Sequence, residues 1–417
     1  MKRPSLARSG LQTMMVLGLR LLTQACSLML AMRLFGPGLY GNVASASSLA
    51  VVLGVLPNLG AGTLLMRRIA LEPQAPADVW RYAWPQHLLL GLGLTVIYVR
   101  LAPAISGAGL IPTACWAGFA LTEIVLSPLI VQLSMTLQAL ERVPLGQLLQ
   151  IMPLLLRVLA MAACFGLPPG HRLQGYVALQ CVAALIGLAL ALQVVSRHVR
   201  LNWRPRRPRG SELRDGTAYA ALNMVSANTM ELDKVLALHA TGAMAAGLYA
   251  SASRIVFAGT MPMIGLLLAA QPRLFRHAAT DQAGLRQLAW RLALSCLLLG
   301  SLLAAALRLV APWLIQVFGP AFAGLDTLLP MMAWVIPAMS LHLMAAQTLV
   351  SIGPPGRRLI YDLAGLLGLA VLMLPLGHRL GAPGLGWALL LNESLMAAIG
   401  WSWVLLELRR RVDHRAH

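Results

Sequence analysis

The chain has 417 residues, of which 58% are hydrophobic and 11% charged, and its mean hydropathy is +0.73. A soluble domain of this length does not need so much apolar surface, so the composition excludes that class and indicates a polytopic membrane protein. The net charge of +19 would fit a nucleic-acid partner, but most basic residues lie in short loops between apolar runs. That pattern reports membrane topology, so we predict no nucleic-acid partner.

The apolar runs predict an all-α protein with about twelve transmembrane helices of about 20 residues each. Few arginines lie on the side of the membrane opposite the N-terminus. Because cytoplasmic loops carry the excess of basic residues, both termini are predicted to be cytoplasmic. The predicted spans are 11–34, 43–66, 81–101, 111–138, 145–167, 173–195, 217–240, 246–270, 287–310, 324–350, 359–377 and 384–407.

The two halves of the chain resemble each other. Gly38-Leu39-Tyr40 recurs as Gly247-Leu248-Tyr249, and two further short matches lie at nearly the same offset of about 210 residues. Six spans per half is an even number, so the repeats share one orientation and predict two six-helix bundles related by a parallel pseudo-twofold axis, with a central cavity. We predict an N-terminal bundle at 1–196, a basic cytoplasmic linker at 197–216 and a C-terminal bundle at 217–417.

Charged residues concentrate in the seventh and eighth spans, which are predicted to be joined by a tight turn of small residues. At about 100° per residue, Asn223, Glu231 and Lys234 lie on one face of the seventh helix, with Asp233 at its border. Charges at membrane depth usually face a water-filled path or one another. We predict a substrate or coupling path that includes Asn223. The alternative is an internal ion pair of Asp233 with Lys234 or Arg254.

Arg20, Arg157 and Arg254 lie near the middle of the first, fifth and eighth spans, and Lys234 adds a fourth cation. Guanidinium groups bind phosphate oxygens in a bidentate manner, so these four residues predict a site for an anionic substrate, with diphosphate the first candidate. Arg20 has no acidic residue in its own span and is the leading candidate. Arg157 could equally pair with Glu123 of the fourth span.

Four intramembrane carboxylates are candidates for ion coupling: first Asp233 and Glu393, then Glu231 and Glu123. A carboxylate at membrane depth can take up and release a proton, or it can ligate Na⁺ together with amide oxygens. The alternative is that these groups only neutralise the arginines. No cofactor is predicted beyond H⁺ or Na⁺ as the coupling ion.

Signatures of enzymes are absent from the sequence. There is no Walker A motif, and the cysteines lack metal-ligand spacing, so we predict neither ATP hydrolysis nor a metal site. The predicted outer loops are short, whereas a membrane polysaccharide polymerase or ligase needs a sizeable outer acceptor region. We therefore predict that the protein is not an enzyme.

Three motifs, taken in order, resemble those of the MOP exporter superfamily, specifically its polysaccharide-transport branch of O-antigen and exopolysaccharide flippases. They fall after the first helix, at the end of the second, and across the seventh and eighth. The matching residues are Arg33-Leu34-Phe35-Gly36-Pro37-Gly38-Leu39-Tyr40-Gly41, then Leu59-Gly60 with Arg67-Arg68-Ile69-Ala70, and Asp233-Lys234 with Gly247-Leu248-Tyr249 and Ala252.

This resemblance implies a protein of the bacterial inner membrane that moves undecaprenyl-diphosphate-linked oligosaccharide from the cytoplasmic to the periplasmic leaflet. The diphosphate would lie near Arg20 and Arg254 while the polyprenyl tail stays in the bilayer. The implied partners are the lipid-linked glycan, the bilayer, and the polysaccharide polymerase with its chain-length machinery. The alternatives are a multidrug and toxin extruder of the same superfamily and, with less support, a membrane polysaccharide polymerase or ligase.

Overall fold

The structure is a computed structural model that describes residues 6–62, 65, 75–106, 111–140, 142–318, 320–352 and 355–416. The described part is almost entirely helical. We number its helices α1 (Leu6–Gly54), α2 (Ala75–Ser106), α3 (Thr113–Ala120), α4 (Ser127–Ala139), α5 (Val143–Cys164), α6 (Arg172–Ser196), α7 (Gly210–Thr241), α8 (Ala243–Gly259), α9 (Met261–Thr280), α10 (Gln282–Phe318), α11 (Leu325–Met332), α12 (Val335–Ile352), α13 (Pro355–Leu380) and α14 (Ala382–Ala416).

Within the described residues, nine helical segments are long and apolar enough to cross a membrane. These nine correspond to the third to sixth and eighth to twelfth predicted spans. The first and seventh predicted spans are also helical and are covered by α1 and α7, whereas the second, 43–66, is helical in α1 only as far as Gly54. The predicted all-α polytopic fold is therefore confirmed, and the twelve-helix layout in two bundles is consistent with the structure.

The first predicted span and the first half of the second form one long element, α1, which is interrupted at Gly36. Gly36 has φ 67° and ψ 171°, which is not helical, and Pro37 follows it. Positive φ is readily adopted only by glycine, and proline has no N–H to offer the preceding turn. The glycine and proline of the first motif thus separate the two spans. A single residue, Gly242 with φ 78°, likewise separates α7 from α8, as the small-residue turn predicts.

The chain divides into two compact units, Met1–Val235 and Leu236–His417. In the first unit, Trp80 of α2 and Leu133 of α4 belong to a buried apolar cluster that extends to Leu149 of α5 and Ala191 of α6. In the second unit, α12 packs extensively against both α10 and α14, and α14 also packs against α13. The predicted boundaries of the two bundles and of the linker remain a prediction.

The segment between α6 and α7 is held to the start of α2 by Arg206. Its guanidinium group donates to both oxygens of Asp78 at 3.1 and 2.9 Å and to both oxygens of Glu212 at 2.8 Å, and it lies 4.7 Å from the centre of the Tyr82 ring. Hydrogen bonds to Glu212 and Asp78 raise the pKa of Arg206 above its ordinary value. Since the pKa is raised, this residue stays charged and its stabilising effect is retained throughout the physiological pH range.

Candidate functional site

Arg20 lies in the first part of α1 and is half-buried. Its guanidinium group makes no hydrogen bond or ion pair with any residue that the structure describes. A charged group at membrane depth is costly unless it meets water or an opposite charge, so Arg20 requires a partner from outside the described residues. This agrees with the lack of an acidic residue in the first span.

Arg157 of α5 has a partner in Glu123, whose carboxylate accepts a hydrogen bond from Nη2 at 2.5 Å. Gln180 of α6 donates to the same carboxylate oxygen at 3.1 Å. The Glu123 side chain is 8% exposed and that of Arg157 is 24% exposed. The alternative interpretation of Arg157, an ion pair with Glu123, is therefore the arrangement in the structure. A role for either residue in binding substrate or ions remains a prediction.

Glu123 lies in a π-helical segment, Leu121–Leu126, between α3 and α4. A π-helical turn leaves without a backbone donor some carbonyl groups that a regular α-helix would pair. Such turns are frequent at functional sites. His87 of α2 contacts the Val125 carbonyl through Nε2 at 2.8 Å, so Nε2 carries the proton. The Asn58 side chain donates to the Pro128 carbonyl at 3.1 Å. Side chains from neighbouring segments thus satisfy carbonyls of the distorted span.

The charges of α7 form a second cluster in the first unit. Lys234 Nζ lies 3.0 Å from Asp233 Oδ1 and 3.6 Å from Glu231 Oε2. Ser48 of α1 donates a hydrogen bond of 2.6 Å to Glu231 Oε2. Asp233 and Lys234 are buried, whereas the Glu231 side chain is 29% exposed. One cation therefore lies between two carboxylates, and Glu231 is the member open to its surroundings.

The contacts of two other predicted substrate-binding residues, Arg254 and Asn223, are described in less detail. Arg254 on α8 is half-buried and interacts with at least one neighbouring group. The side chain of Asn223 lies outside the described part of the chain.

In the second unit, Glu393 of α14 pairs with a residue that we did not predict as part of the site. His342 Nδ1 of α12 lies 2.6 Å from Glu393 Oε2, and the His342 ring packs edge-on against the ring of Tyr361 at 5.2 Å. The side chains of His342 and Glu393 are 10% and 6% exposed. His342 Nε2 has no hydrogen-bond partner among the described residues. A histidine in an apolar span was the available sequence signal for this pair.

Ion pairs also account for the charges at the start of α13. Arg358 donates to Asp362 at 2.7 Å, one turn along the helix, and Arg357 Nη1 lies 2.8 Å from Glu407 Oε1 of α14. No group of three or more histidine, cysteine, aspartate or glutamate side chains in the described part is placed to hold a metal ion.

Comparison with solved structures identifies the class of fold. The chain superposes on an inward-facing multidrug resistance MATE family transporter of the MOP superfamily with a TM-score of 0.77 and 16% identity, covering 94% of this chain and 95% of that one. An outward-facing MATE family transporter gives a TM-score of 0.64 at 15% identity, covering 97% of this chain and 95% of that one. The fold is that of the MATE transporters of the MOP superfamily.

A third similar structure is a MOP superfamily transporter from Pyrococcus furiosus, described as having a binding pocket of reverse polarity that suggests a different function. It gives a TM-score of 0.60 at 16% identity, covering 97% of this chain and 94% of that one. No protein-family model matches the sequence, and neither does any curated protein. The resemblance to the MOP superfamily is thus supported at the level of fold, and the polysaccharide-transport branch remains a prediction.

Proposed function

We propose that this protein is a secondary transporter that exports its cargo across the membrane by alternating access. The observation that carries the proposal is the match over 94% of the chain, at a TM-score of 0.77, with a MATE family transporter. The buried charged clusters on α7 and between α12 and α14 support it, because intramembrane ionisable groups are typical of ion and substrate paths.

The first candidate cargo is a small molecule, extruded as the names of the similar MATE structures indicate for those proteins. In this mechanism, cargo binding would compete with loading of the coupling ion on carboxylates such as Glu231, Asp233 and Glu393. The ion gradient would then drive the change of access. The fold comparison favours this candidate over the second one.

The second candidate cargo is an undecaprenyl-diphosphate-linked oligosaccharide, moved from the cytoplasmic to the periplasmic leaflet. The observation in its favour is Arg20, a half-buried cation without a partner among the described residues. A diphosphate would give this guanidinium a bidentate counter-charge. Arg254 would be the second contact, and Lys234, Arg157 and Asn223 are further candidates. Under this proposal, the polysaccharide polymerase and its chain-length machinery are downstream partners.

We place the protein in the bacterial inner membrane with both termini in the cytoplasm. For the coupling ion we propose H⁺ or Na⁺. The His342–Glu393 pair favours H⁺, because a carboxylate bonded to an imidazole at 2.6 Å gives a proton two acceptor groups.

Deletion of the gene tests the two cargoes together. If the cargo is a small molecule, the deletion strain accumulates dyes or drugs that the complemented strain extrudes. If it is a lipid-linked oligosaccharide, repeat units stay on the cytoplasmic face of the inner membrane, as measured in inverted and right-side-out vesicles. Unchanged efflux and unchanged leaflet distribution, in a strain without a redundant transporter, would contradict both forms of the proposal.

A further inference from the structure

A cleft at one end of the second unit collects basic side chains that the predicted transport path does not use. It has a volume of about 760 Å³ and lies where α10 begins and α14 ends. Arg286, Trp290 and Arg291 line it from α10, and Arg409 lines it from α14. We call it the basic cleft.

Among the side chains that the structure describes, none neutralises the positive charge of the basic cleft. The guanidinium groups of Arg286, Arg291 and Arg409 make no hydrogen bond or ion pair with residues of the described ranges. Glu407, on the last turns of α14, is engaged by Arg357 at 2.8 Å. Asp281 accepts a hydrogen bond from the Gly284 backbone at 2.9 Å at the start of α10. The cleft therefore favours an anion.

An apolar groove of about 490 Å³ lies further along the same two helices and is lined by α12 as well. It is lined by Leu297 of α10, Leu341 of α12, and Ala398 and Trp401 of α14, among others. Trp401 stacks on Trp290 of the basic cleft, with ring centroids 5.4 Å apart and planes at 24°. The tryptophan pair thus joins the two cavities.

The ends of two candidate spans place the basic cleft at the expected level of a membrane interface. Residues Gln282–Leu314 and Ala382–Arg409 are both candidate spans, and the cleft joins the start of one to the end of the other. Large apolar side chains below it face outward, including Leu298 at 62% and Leu395 at 51% exposed. Arginine and tryptophan at such a level are typical of the headgroup region.

We propose that the basic cleft and the apolar groove together bind an anionic phospholipid of the membrane. The phosphate accepts hydrogen bonds from the three guanidinium groups, the glycerol backbone lies against the tryptophan pair, and one acyl chain occupies the apolar groove. Basic clefts between transmembrane helices bind anionic headgroups in this way. The proposal concerns a lipid that belongs to the protein's surroundings, and it holds for either transported cargo.

The test is a lipid titration of the purified full-length protein in a mild detergent, followed by native mass spectrometry. Phosphatidylglycerol is compared with phosphatidylcholine of the same acyl chains and with inorganic diphosphate. The cleft variant combines R286Q, R291Q and R409Q; the matched control, R200Q with R207Q and R273Q, removes the same charge from exposed positions elsewhere. We expect affinity for phosphatidylglycerol to fall on the order of 100-fold in the cleft variant, since each arginine contributes about fivefold.

A second variant, Ala398→Trp, fills the apolar groove without altering charge. It is expected to weaken phosphatidylglycerol binding by about tenfold, because an acyl chain loses its place. Equal binding of phosphatidylglycerol by the cleft variant and its control would overturn the proposal, as would equal binding of phosphatidylcholine. Binding of inorganic diphosphate as tight as that of the lipid would also overturn it, because the site would then bind a free ion. Unchanged binding by Ala398→Trp would exclude the groove as the place of the chain.

Discussion

Buried charges in this protein mostly have partners of opposite charge, and Arg20 differs from that pattern. Arg157 is bound to Glu123 at 2.5 Å and Lys234 to Asp233 at 3.0 Å, whereas Arg20 has neither a carboxylate nor a hydrogen-bond acceptor among the described residues. The Arg157–Glu123 pair joins two helical segments, while an arginine whose counter-charge is not among the described residues is a candidate for contact with a cargo. We therefore predict a structural role for the Arg157–Glu123 pair and a cargo-binding role for Arg20.

Replacement of Arg157 by methionine should destabilise the first unit. It leaves the Glu123 carboxylate, 8% exposed, with Gln180 as its one remaining hydrogen-bond partner among the described residues. Loss of one member of a buried pair typically costs about 3–5 kcal/mol, and replacement of both restores part of that loss. Thermal unfolding in detergent of Arg157→Met, Glu123→Gln and the double variant measures this. Arg100→Met, at an exposed arginine of α2, is the control; equal unfolding temperatures for the two arginine variants would refute the ion-pair role.

Replacement of Arg20 by glutamine should instead leave the unfolding temperature nearly unchanged and reduce transport. A hydrogen bond to a charged group contributes about 1.5–3 kcal/mol, so transport of an anionic cargo should fall about 10- to 100-fold. Cargo movement and unfolding temperature are measured on the same preparation. Full transport by Arg20→Gln would show that this cation does not contact cargo.

The His342–Glu393 pair should couple transport to an ion gradient. Glu393→Gln and His342→Gln are expected to abolish gradient-driven movement in proteoliposomes, while exchange of cargo without a gradient stays within about twofold. Imposed H⁺ and Na⁺ gradients, applied separately, identify the ion. Asp362→Asn is the control, because that carboxylate is already held by Arg358 at 2.7 Å. Gradient-driven transport by Glu393→Gln at the normal rate would contradict a coupling role.

At the scale of elements, hydrophobic periodicity predicts where helices lie but not where they are distorted. The fourth predicted span, 111–138, contains the π-helical segment Leu121–Leu126, and the tenth span, 324–350, divides into α11 and α12. Glycine and proline mark the break at Gly36 in sequence, whereas the π-helical segment and the start of α4 are contacted by His87 and Asn58, which are distant in the chain. Such contacts leave no local signal.

The close approach of α1 to the π-helical segment should not tolerate a side chain at residue 54. A Cβ atom there would overlap the Glu123 carbonyl oxygen, which is backbone and cannot move aside. Gly54→Ala is therefore expected to lower stability by roughly 1–3 kcal/mol or more. Gly93→Ala on α2, where a Cβ has open space, should be neutral or stabilising by up to about 1 kcal/mol. The unfolding temperatures of the two variants measure this difference. Equal unfolding temperatures would contradict the close packing of α1 against the π-helical segment.

The candidate sites show the same limit of sequence-based prediction. Intramembrane charge was enough to single out Glu123, Glu231, Asp233 and Glu393, because charge is rare in apolar spans. Their partners were harder to predict: Ser48 and His342 come from other helices, and a serine or a neutral histidine in a span carries little signal of its own. Which side chains pair depends on how the helices pack in the fold, so these partners are identified from the structure and not from the sequence.

At the scale of the whole molecule, the fold is shared by transporters that differ in what they bind, so the fold alone does not identify a cargo. Proteins of this fold include multidrug MATE transporters and one whose pocket polarity suggests another function. The choice between a small molecule and a lipid-linked oligosaccharide therefore depends on a few side chains, of which Arg20 is the foremost.

The most direct test of the central claim is a transport measurement on the purified protein in proteoliposomes with an imposed ion gradient. Two cargoes are followed in parallel: a fluorescent small molecule of the kind that extruders carry, and an undecaprenyl-diphosphate-linked oligosaccharide accessible to an outer-leaflet probe. We predict movement of one of them that requires both the protein and the gradient and that is lost in Glu393→Gln. Movement of neither cargo above the rate in protein-free liposomes, with folded protein and either H⁺ or Na⁺ supplied, would contradict secondary transport of these cargoes.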